Sequence, residues 1–329
     1  MAKITILGGG TWAMGLALVL DKNGHSVTVW SAVEKEIEML SKTHKHNQLP
    51  DAIIPESICF TMDDEKAVSD ADLLVMAVAS TYTRNTAKRL SKFIKPGQII
   101  VTVAKGIEEN TLMTQTQIVE DEIKNIKVAV LSGPSHAEEV SKFMATTVVV
   151  GCEDEEIAKY IQNIFMNDFF RVYTSNDVLG IEIGGSVKNV IALAAGVGDG
   201  LGGGDNAKAA IITRGIAEMS RLGSAMGCKP ETFSGLTGIG DLIVTCAGMH
   251  SRNRRAGILI GQGKTMQEAM DEVQMVVEGV YSAKAAIALA RKYNVEMPIV
   301  EQVNLVLFEN KSAVAAFADL MNRDRKAEN

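Results

Sequence analysis

Apolar positions along this chain follow two rhythms. Over the first half, short runs rich in Val, Ile and Leu alternate with amphipathic stretches. Residues 4–7, 26–30, 73–77, 99–103, 128–131 and 146–150 read as strands, and 12–22, 34–43 and 81–93 as helices. Runs that are apolar at consecutive positions belong to a sheet buried on both faces, and their alternation with helices of ~10–15 residues predicts βαβ units and a parallel sheet. After Thr174-Ser-Asn-Asp177 the strand rhythm stops. Residues 178–196, 207–226, 252–260, 265–273, 281–293 and 299–307 carry the helical period, punctuated by Pro230, by Gly235-Leu-Thr-Gly-Ile-Gly240 and by the glycine cluster 200–204. The pattern predicts a doubly wound α/β domain over residues 1–177 and an all-helical domain over 178–329.

Composition narrows the class. A chain of 329 residues suits two domains, and 47% hydrophobic residues suffice for their cores. A net charge of −7, from 33 basic and 40 acidic side chains, argues against a nucleic-acid or anionic-membrane binder, which needs a basic surface. The unbroken apolar stretches reach about eight residues, far short of the ~20 that span a bilayer, so no membrane span is expected. The N-terminus enters a strand directly with no signal-peptide pattern, and a reducing cytoplasm is the expected compartment. Cys59, Cys152, Cys228 and Cys246 show no CxxC and no nearby His, so neither a metal site nor a disulfide framework is expected. Cys246 reads as a small buried residue, with a reactive thiol as the alternative.

The first chemical signal is Gly8-Gly-Gly10-Thr-Trp-Ala13, which follows a strand and opens a helix. Gly8 permits the tight turn, Gly10 removes the side chain that would block a pyrophosphate, and Ala13 lets helix and sheet pack closely. The helix N-terminus with Thr11 and Trp12 then offers N–H groups and a positive dipole to phosphates. An ordinary strand–turn–helix is the alternative. In its βαβ context the motif reads as a Rossmann-type cradle for NAD or NADP. The end of the second strand, Trp30-Ser-Ala-Val-Glu34, has neither an acid nor an Arg at its tip. Ser31 serves either cofactor there, with Lys35 or Lys42 as sources of charge, so the preference stays open.

Further candidates sit after later strands and on the helical half. Lys105, in Ala104-Lys-Gly-Ile-Glu108, and Gly133 and Ser135, in Ser132-Gly-Pro-Ser-His-Ala137, follow strand ends where open α/β sheets bind ligands; plain turns are the alternative. His136 has no evident partner for acid–base work. Lys188 and Asn189 lie among Val, Ile, Ala and Gly, where a lysine is costly to bury unless it has a partner or a task; a snorkelling lysine is the alternative. Asp205 or Asn206 reads as the N-cap of the helix from Ala207. Asp241 and Thr245, four apart, share a helix face and suit holding a Lys and a substrate hydroxyl. Ser251 reads as an N-cap, and Arg252 and Asn253 in the following turn make a phosphate site from dipole, N–H groups and guanidinium. A solvated basic helix start is the alternative there.

Taken in order, GGGTWA, AKGIE, SGPSHAEEV, the long run from Glu182 to Gly215, GLTGIGDLIVTC and SRNRR span nearly the whole chain. In these the chain resembles the NAD(P)-dependent glycerol-3-phosphate dehydrogenases of the bacterial soluble type. The resemblance implies reduction of dihydroxyacetone phosphate to sn-glycerol 3-phosphate, the entry to glycerophospholipid synthesis. By position it implies Lys188 as general acid–base, with Lys105 and Asp241 beside it and Asn189 and Thr245 as neighbours. It implies that Gly133 and Ser135 contact the substrate, and that Ser251, Arg252 and Asn253 hold its phosphate. Arg252, Thr11, Trp12, Ala137 and Glu278 are implied to line the dinucleotide, together with Lys105. The chain departs from the family at Trp12-Ala-Met-Gly15, where W-G-T-A is commoner, and at Ser31-Ala32, where an Arg is common.

The mechanism expected is hydride transfer to a ketone carbon while Lys188 protonates the oxygen. Two rivals stay open on sequence: a β-hydroxyacid or 6-phosphogluconate type of dehydrogenase, and a non-catalytic NAD(P)H sensor. The apolar surface of the helical half allows a homodimer.

Overall fold

Eight strands form one sheet: β1 (Lys3–Leu7), β2 (Ser26–Trp30), β3 (Cys59–Thr61), β4 (Leu73–Met76), β5 (Ile99–Thr102), β6 (Lys127–Ser132), β7 (Thr146–Gly151) and β8 (Phe170–Ser175). Their order is β3-β2-β1-β4-β5-β6-β7-β8, parallel from β3 to β6. The first six strands thus follow the 3-2-1-4-5-6 order of a doubly wound dinucleotide-binding sheet, and the winding reverses between β1 and β4. Along β4, Leu73 and Val75 enter one core cluster while Leu74 and Met76 enter another. Both faces are covered, which is why this strand reads as an unbroken apolar run.

This computed structural model describes residues 1–325, 327 and 328. The chain packs as two units, Met1–Lys105 with Met113–Glu182, and Gly106–Leu112 with Ile183–Asn329. Helices of the first unit are α1 (Thr11–Lys22), α2 (Glu34–Thr43), α3 (Asp64–Val68), α4 (Thr83–Leu90), α5 (Gln115–Glu122), α6 (Ala137–Val140) and α7 (Glu155–Phe165). Then follow α8 (Val178–Gly200), α9 (Gly204–Ala225), α10 (Pro230–Phe233), α11 (Asp241–Ala247), α12 (Arg252–Gly261), α13 (Met266–Val273), α14 (Glu278–Lys292), α15 (Pro298–Phe308) and α16 (Ala313–Met321). A π-helical turn, Leu236–Gly240, leads into α11.

Several elements differ from the sequence reading. β3 is three residues long with Cys59 exposed, too short to show a period. β8 alternates buried and exposed side chains as Phe170-Arg-Val-Tyr, the period of a strand with one wet face, where the sequence reading has only the polar join. β7 runs antiparallel to β6 and parallel to β8, so the sheet is not uniformly parallel. The glycine cluster belongs partly to helices: α8 continues to Gly200 and α9 starts at Gly204. The N-cap of α9 is Gly203, not Asp205 or Asn206, and the exposed Asp205 instead pairs with Lys208 at 3.7 Å.

By length and composition α8 is apolar enough to cross a membrane, yet 83% of its most apolar window is buried in the protein. It reads as a core helix. Its glycines set how closely its neighbour lies. A Cβ on Gly196 or Gly200 would fall 2.2 or 2.3 Å from the carbonyl oxygens of Arg254 and Ile258. A Cβ on Gly257 or Gly261 would fall 2.2 or 2.4 Å from those of Leu193 and Val197. The two helices therefore cross backbone to backbone through two glycines on each, and this crossing fixes where the first turn of α12 sits relative to α8.

Candidate active site

Around the carboxyl ends of the parallel strands, the first unit gathers one set of candidate groups. Gly8 has φ +129°, and a Cβ there would lie 2.8 Å from the Ala77 carbonyl oxygen after β4. Only glycine fits that turn. A Cβ on Gly10 would meet nothing within 4 Å, so the space beside this residue is open. α1 begins at once with Thr11, and its first N–H groups have no partners inside the helix. Open space beside Gly10 together with these donors fits a pyrophosphate. Ala13 is fully buried, as close packing of helix on sheet requires, and Met14 fills the same core, its side chain directed inward. Trp12 is half-buried.

Lys105, Gly133 and Ser135 come together. Lys105 Nζ and Ser135 Oγ each donate to the Gly133 carbonyl at 2.9 Å. Gly133 holds φ +143°, and a Cβ there would press within 3.0 Å of the Val148 Cα. Ala137 opens α6, and a Cβ on Gly15 of α1 would lie 3.6 Å from its carbonyl oxygen, so this segment packs beside α1.

Ser31 is buried, and the groups around it are ones sequence reasoning missed. Its hydroxyl donates to Glu36 Oε2 at 2.5 Å and accepts the Val33 N–H at 3.2 Å. The strand tip does have an acid, because the first turn of α2 folds Glu36 back onto it. Glu36 is only five positions beyond Ser31, and a search along the first helical turn would have found it. Lys42, considered as a source of charge, lies two turns on and pairs with Glu38 at 3.5 Å.

A second set of groups lies on the helical unit. Lys188 is 5% exposed, and its Nζ donates to Asp241 Oδ1 at 2.7 Å and to Thr245 Oγ1 at 2.6 Å. Thr245 in turn donates to the Asp241 carbonyl at 2.6 Å, so the i, i+4 pair on α11 forms one acceptor face for the lysine. The π-helical turn brings that face up to α8: a Cβ on Gly184 would sit 2.8 Å from the Thr237 carbonyl oxygen. Cys246, next along α11, is fully buried, and burial pushes its thiol up to about 12, so it is protonated and inert at neutral pH.

Asn253 Nδ2 donates to Asn189 Oδ1 at 3.0 Å, and Asn253 Oδ1 accepts the Gly279 N–H at 2.8 Å. This amide ties α12 to α8 and to the first turn of α14, which Glu278 opens. Ser251 caps α12 by accepting the Arg254 N–H at 3.2 Å. Arg254 itself is committed to Asp199 at 2.8 Å and to the Ala247 carbonyl at 2.7 Å. Arg252 is half-buried, and its guanidinium has no partner among the described residues. Of the basic run, Arg255 is exposed, and Arg252 is the half-buried guanidinium at the first position of α12.

Glu182, whose function the sequence left blank, accepts the Thr116 N–H at 2.8 Å and the Thr116 hydroxyl at 2.5 Å. Those donors belong to the first turn of α5, so the carboxylate caps that helix. Burial holds its pKa above the usual range.

A doubly wound sheet with a glycine turn at its switch point, joined to a helical unit with a buried ion-paired lysine, defines the class of nicotinamide-dependent dehydrogenases. The family follows from comparison. The N-terminal model of NAD-dependent glycerol-3-phosphate dehydrogenase matches residues 3–158, and the C-terminal model matches 177–318. The chain belongs to that family. Glycerol-3-phosphate dehydrogenase (NAD(P)+) of Agathobacter rectalis is 61% identical over 329 residues, covering all of this chain and 98% of the relative. The Fusobacterium nucleatum protein of the same name is 60% identical, covering all of this chain and 99% of the relative. The crystal structure of glycerol-3-phosphate dehydrogenase from Coxiella burnetii superposes with a TM-score of 0.95 at 35% identity, covering 98% of this chain and 99% of that one. Membership separates the chain from the β-hydroxyacid and 6-phosphogluconate types and from a non-catalytic sensor.

Proposed function

We propose that this chain interconverts dihydroxyacetone phosphate and sn-glycerol 3-phosphate with NADH or NADPH, feeding glycerophospholipid synthesis in the cytoplasm. The observation that carries the reading is the buried group formed by Lys188, Asp241 and Thr245. Bound nicotinamide supplies the hydride for the ketone carbon. As negative charge develops on the ketone oxygen, Lys188 gives it a proton, and Asp241 and Thr245 keep the ammonium aimed and charged beforehand. Lys105, anchored on the Gly133 carbonyl, is the second cation of the reaction, and Ser135 shares its anchor. Arg252 and the N–H groups after Ser251 take the phosphate, and this binding energy orients the ketone. Asn189 and Asn253 hold the frame that keeps these groups in register, and Glu278 lines the dinucleotide. Gly8, Gly10, Thr11, Trp12, Ala13 and Ala137 receive the dinucleotide. A homodimer belongs to the same proposal, and light scattering tests it.

The direct test follows 340 nm absorbance with dihydroxyacetone phosphate and either reduced nucleotide. Loss of absorbance is the expected result. Tight nucleotide binding without turnover would overturn the substrate assignment.

A further inference from the structure

We infer that Glu36 makes this chain selective for NADH, by accepting the adenosine ribose hydroxyl and repelling a 2′-phosphate. The inference rests on the dinucleotide reading above and decides what Ser31 and Ala32 leave open.

Three observations converge on Glu36. First, the carboxylate lies directly on the glycine turn: a Cβ added to Gly9 would fall 2.6 Å from Glu36 Oε2. The middle of that turn is backbone only, so the acid occupies the space over it. Second, the acid is fixed there. The buried Ser31 gives its one proton to Oε2 at 2.5 Å, while its oxygen is occupied by the Val33 N–H at 3.2 Å. The serine hydroxyl is thereby spent on holding the carboxylate and is not a donor for a phosphate. The buried His46 closes the other side, its ring hydrogen-bonded to the Gly9 backbone and to the Gln48 N–H at 3.2 Å. Third, two nearby cations, Lys42 and Arg89, are committed elsewhere. Lys42 pairs with Glu38 at 3.5 Å, and Arg89, stacked over Trp30, pairs with Asp64 at 2.8 Å. Burial holds His46 below the usual imidazole range, so it brings no charge at neutral pH. Lys35 is exposed on the helix surface.

An acid at the end of the second strand of such a sheet accepts the ribose 2′-hydroxyl, and an Arg suits the 2′-phosphate. Glu36 provides the first environment from one helical turn further along the chain. A carboxylate is an acceptor only, so it gains a hydrogen bond from the hydroxyl and none from a phosphate carrying like charge.

The experiment titrates nicotinamide fluorescence with NADH and NADPH, without substrate, on the wild type, Glu36→Gln and Ser31→Ala. The wild type is expected to bind NADH about tenfold tighter or more. Glu36→Gln should collapse that ratio, mainly through tighter NADPH binding, and Ser31→Ala should shift it the same way by less. A wild type that favours NADPH, or a ratio unmoved in Glu36→Gln, overturns the inference. Should the variants not fold, competition on the wild type decides it: 5′-AMP should displace NADH better than adenosine 2′,5′-bisphosphate, and the reverse order overturns it. Because binding is read without turnover, an inactive enzyme that still selects NADH would sink the substrate assignment and leave this inference standing.

Discussion

A lysine only 5% exposed would be expensive without compensation, and Lys188 has it in Asp241 and Thr245. If its proton is the one delivered to the ketone oxygen, Lys188→Ala should lower kcat by about 10²–10⁴ while NADH still binds. The substitution also strips a buried carboxylate of its cation, so unfolding should be checked beside the kinetics. A well-folded variant with wild-type kcat would end the assignment. Arg252 belongs to the other end of the substrate. Arg252→Ala should raise KM for dihydroxyacetone phosphate about 10- to 100-fold, the loss of one charge-assisted contact. Dihydroxyacetone, which has no phosphate, is the control: an equal loss on it would refute a phosphate role.

Between elements, the decisive contact is the crossing of α8 and α12. Gly257 lies against backbone on α8, with its would-be Cβ 2.2 Å from the Leu193 carbonyl oxygen and 2.9 Å from the Gly196 Cα. Backbone cannot swing aside as a side chain would. Gly257→Ala should therefore push α12 outward and cost about 1–3 kcal/mol in denaturant unfolding. Because α12 carries Arg252 and Asn253, KM for the phosphorylated ketone should rise in the same variant. Lost stability with an unchanged KM would show that the crossing supports the core but does not place the first turn of α12.

At the scale of the whole molecule, Glu218 links stability to pH. It is 1% exposed on α9, and its carboxylate accepts the Ile299 and Val300 N–H groups at the start of α15, at 2.8 and 3.3 Å. Burial pushes its pKa up to about 7 from 4.5. A group with a raised folded pKa contributes stability that is full below its unfolded pKa and is lost as pH rises through the folded one. Stability should thus fall by about 3 kcal/mol from this group between pH 4.5 and 7 and then level off. Glu218→Gln keeps an acceptor for α15 and removes the titration, so its stability relative to wild type should rise across that range. Parallel denaturant curves at pH 5 and 8 check this, and an equal difference at both pH values would contradict it.

The alternation of β-branched runs and amphipathic stretches was sufficient for the fold class, for the strands other than β3 and β8, and for most of the helices after them. Those signals are local: period and side-chain sterics act within a few residues. Gly8 and Gly10 were legible for the same reason, and Lys188 stood out because charge in an apolar helix is conspicuous. What the sequence left blank are meetings of residues far apart along the chain. Glu182 finds Thr116 at a separation of 66 positions, and Glu218 finds the Ile299 N–H at 81. The antiparallel entry of β7 and the glycine crossing of α8 with α12 leave no period to read. Glu36 is near Ser31 in sequence but meets Gly9 only because β2 and β1 are neighbours in the sheet. Local periodicity chose the elements, while burial and hydrogen-bond satisfaction between distant segments chose each charged group's partner.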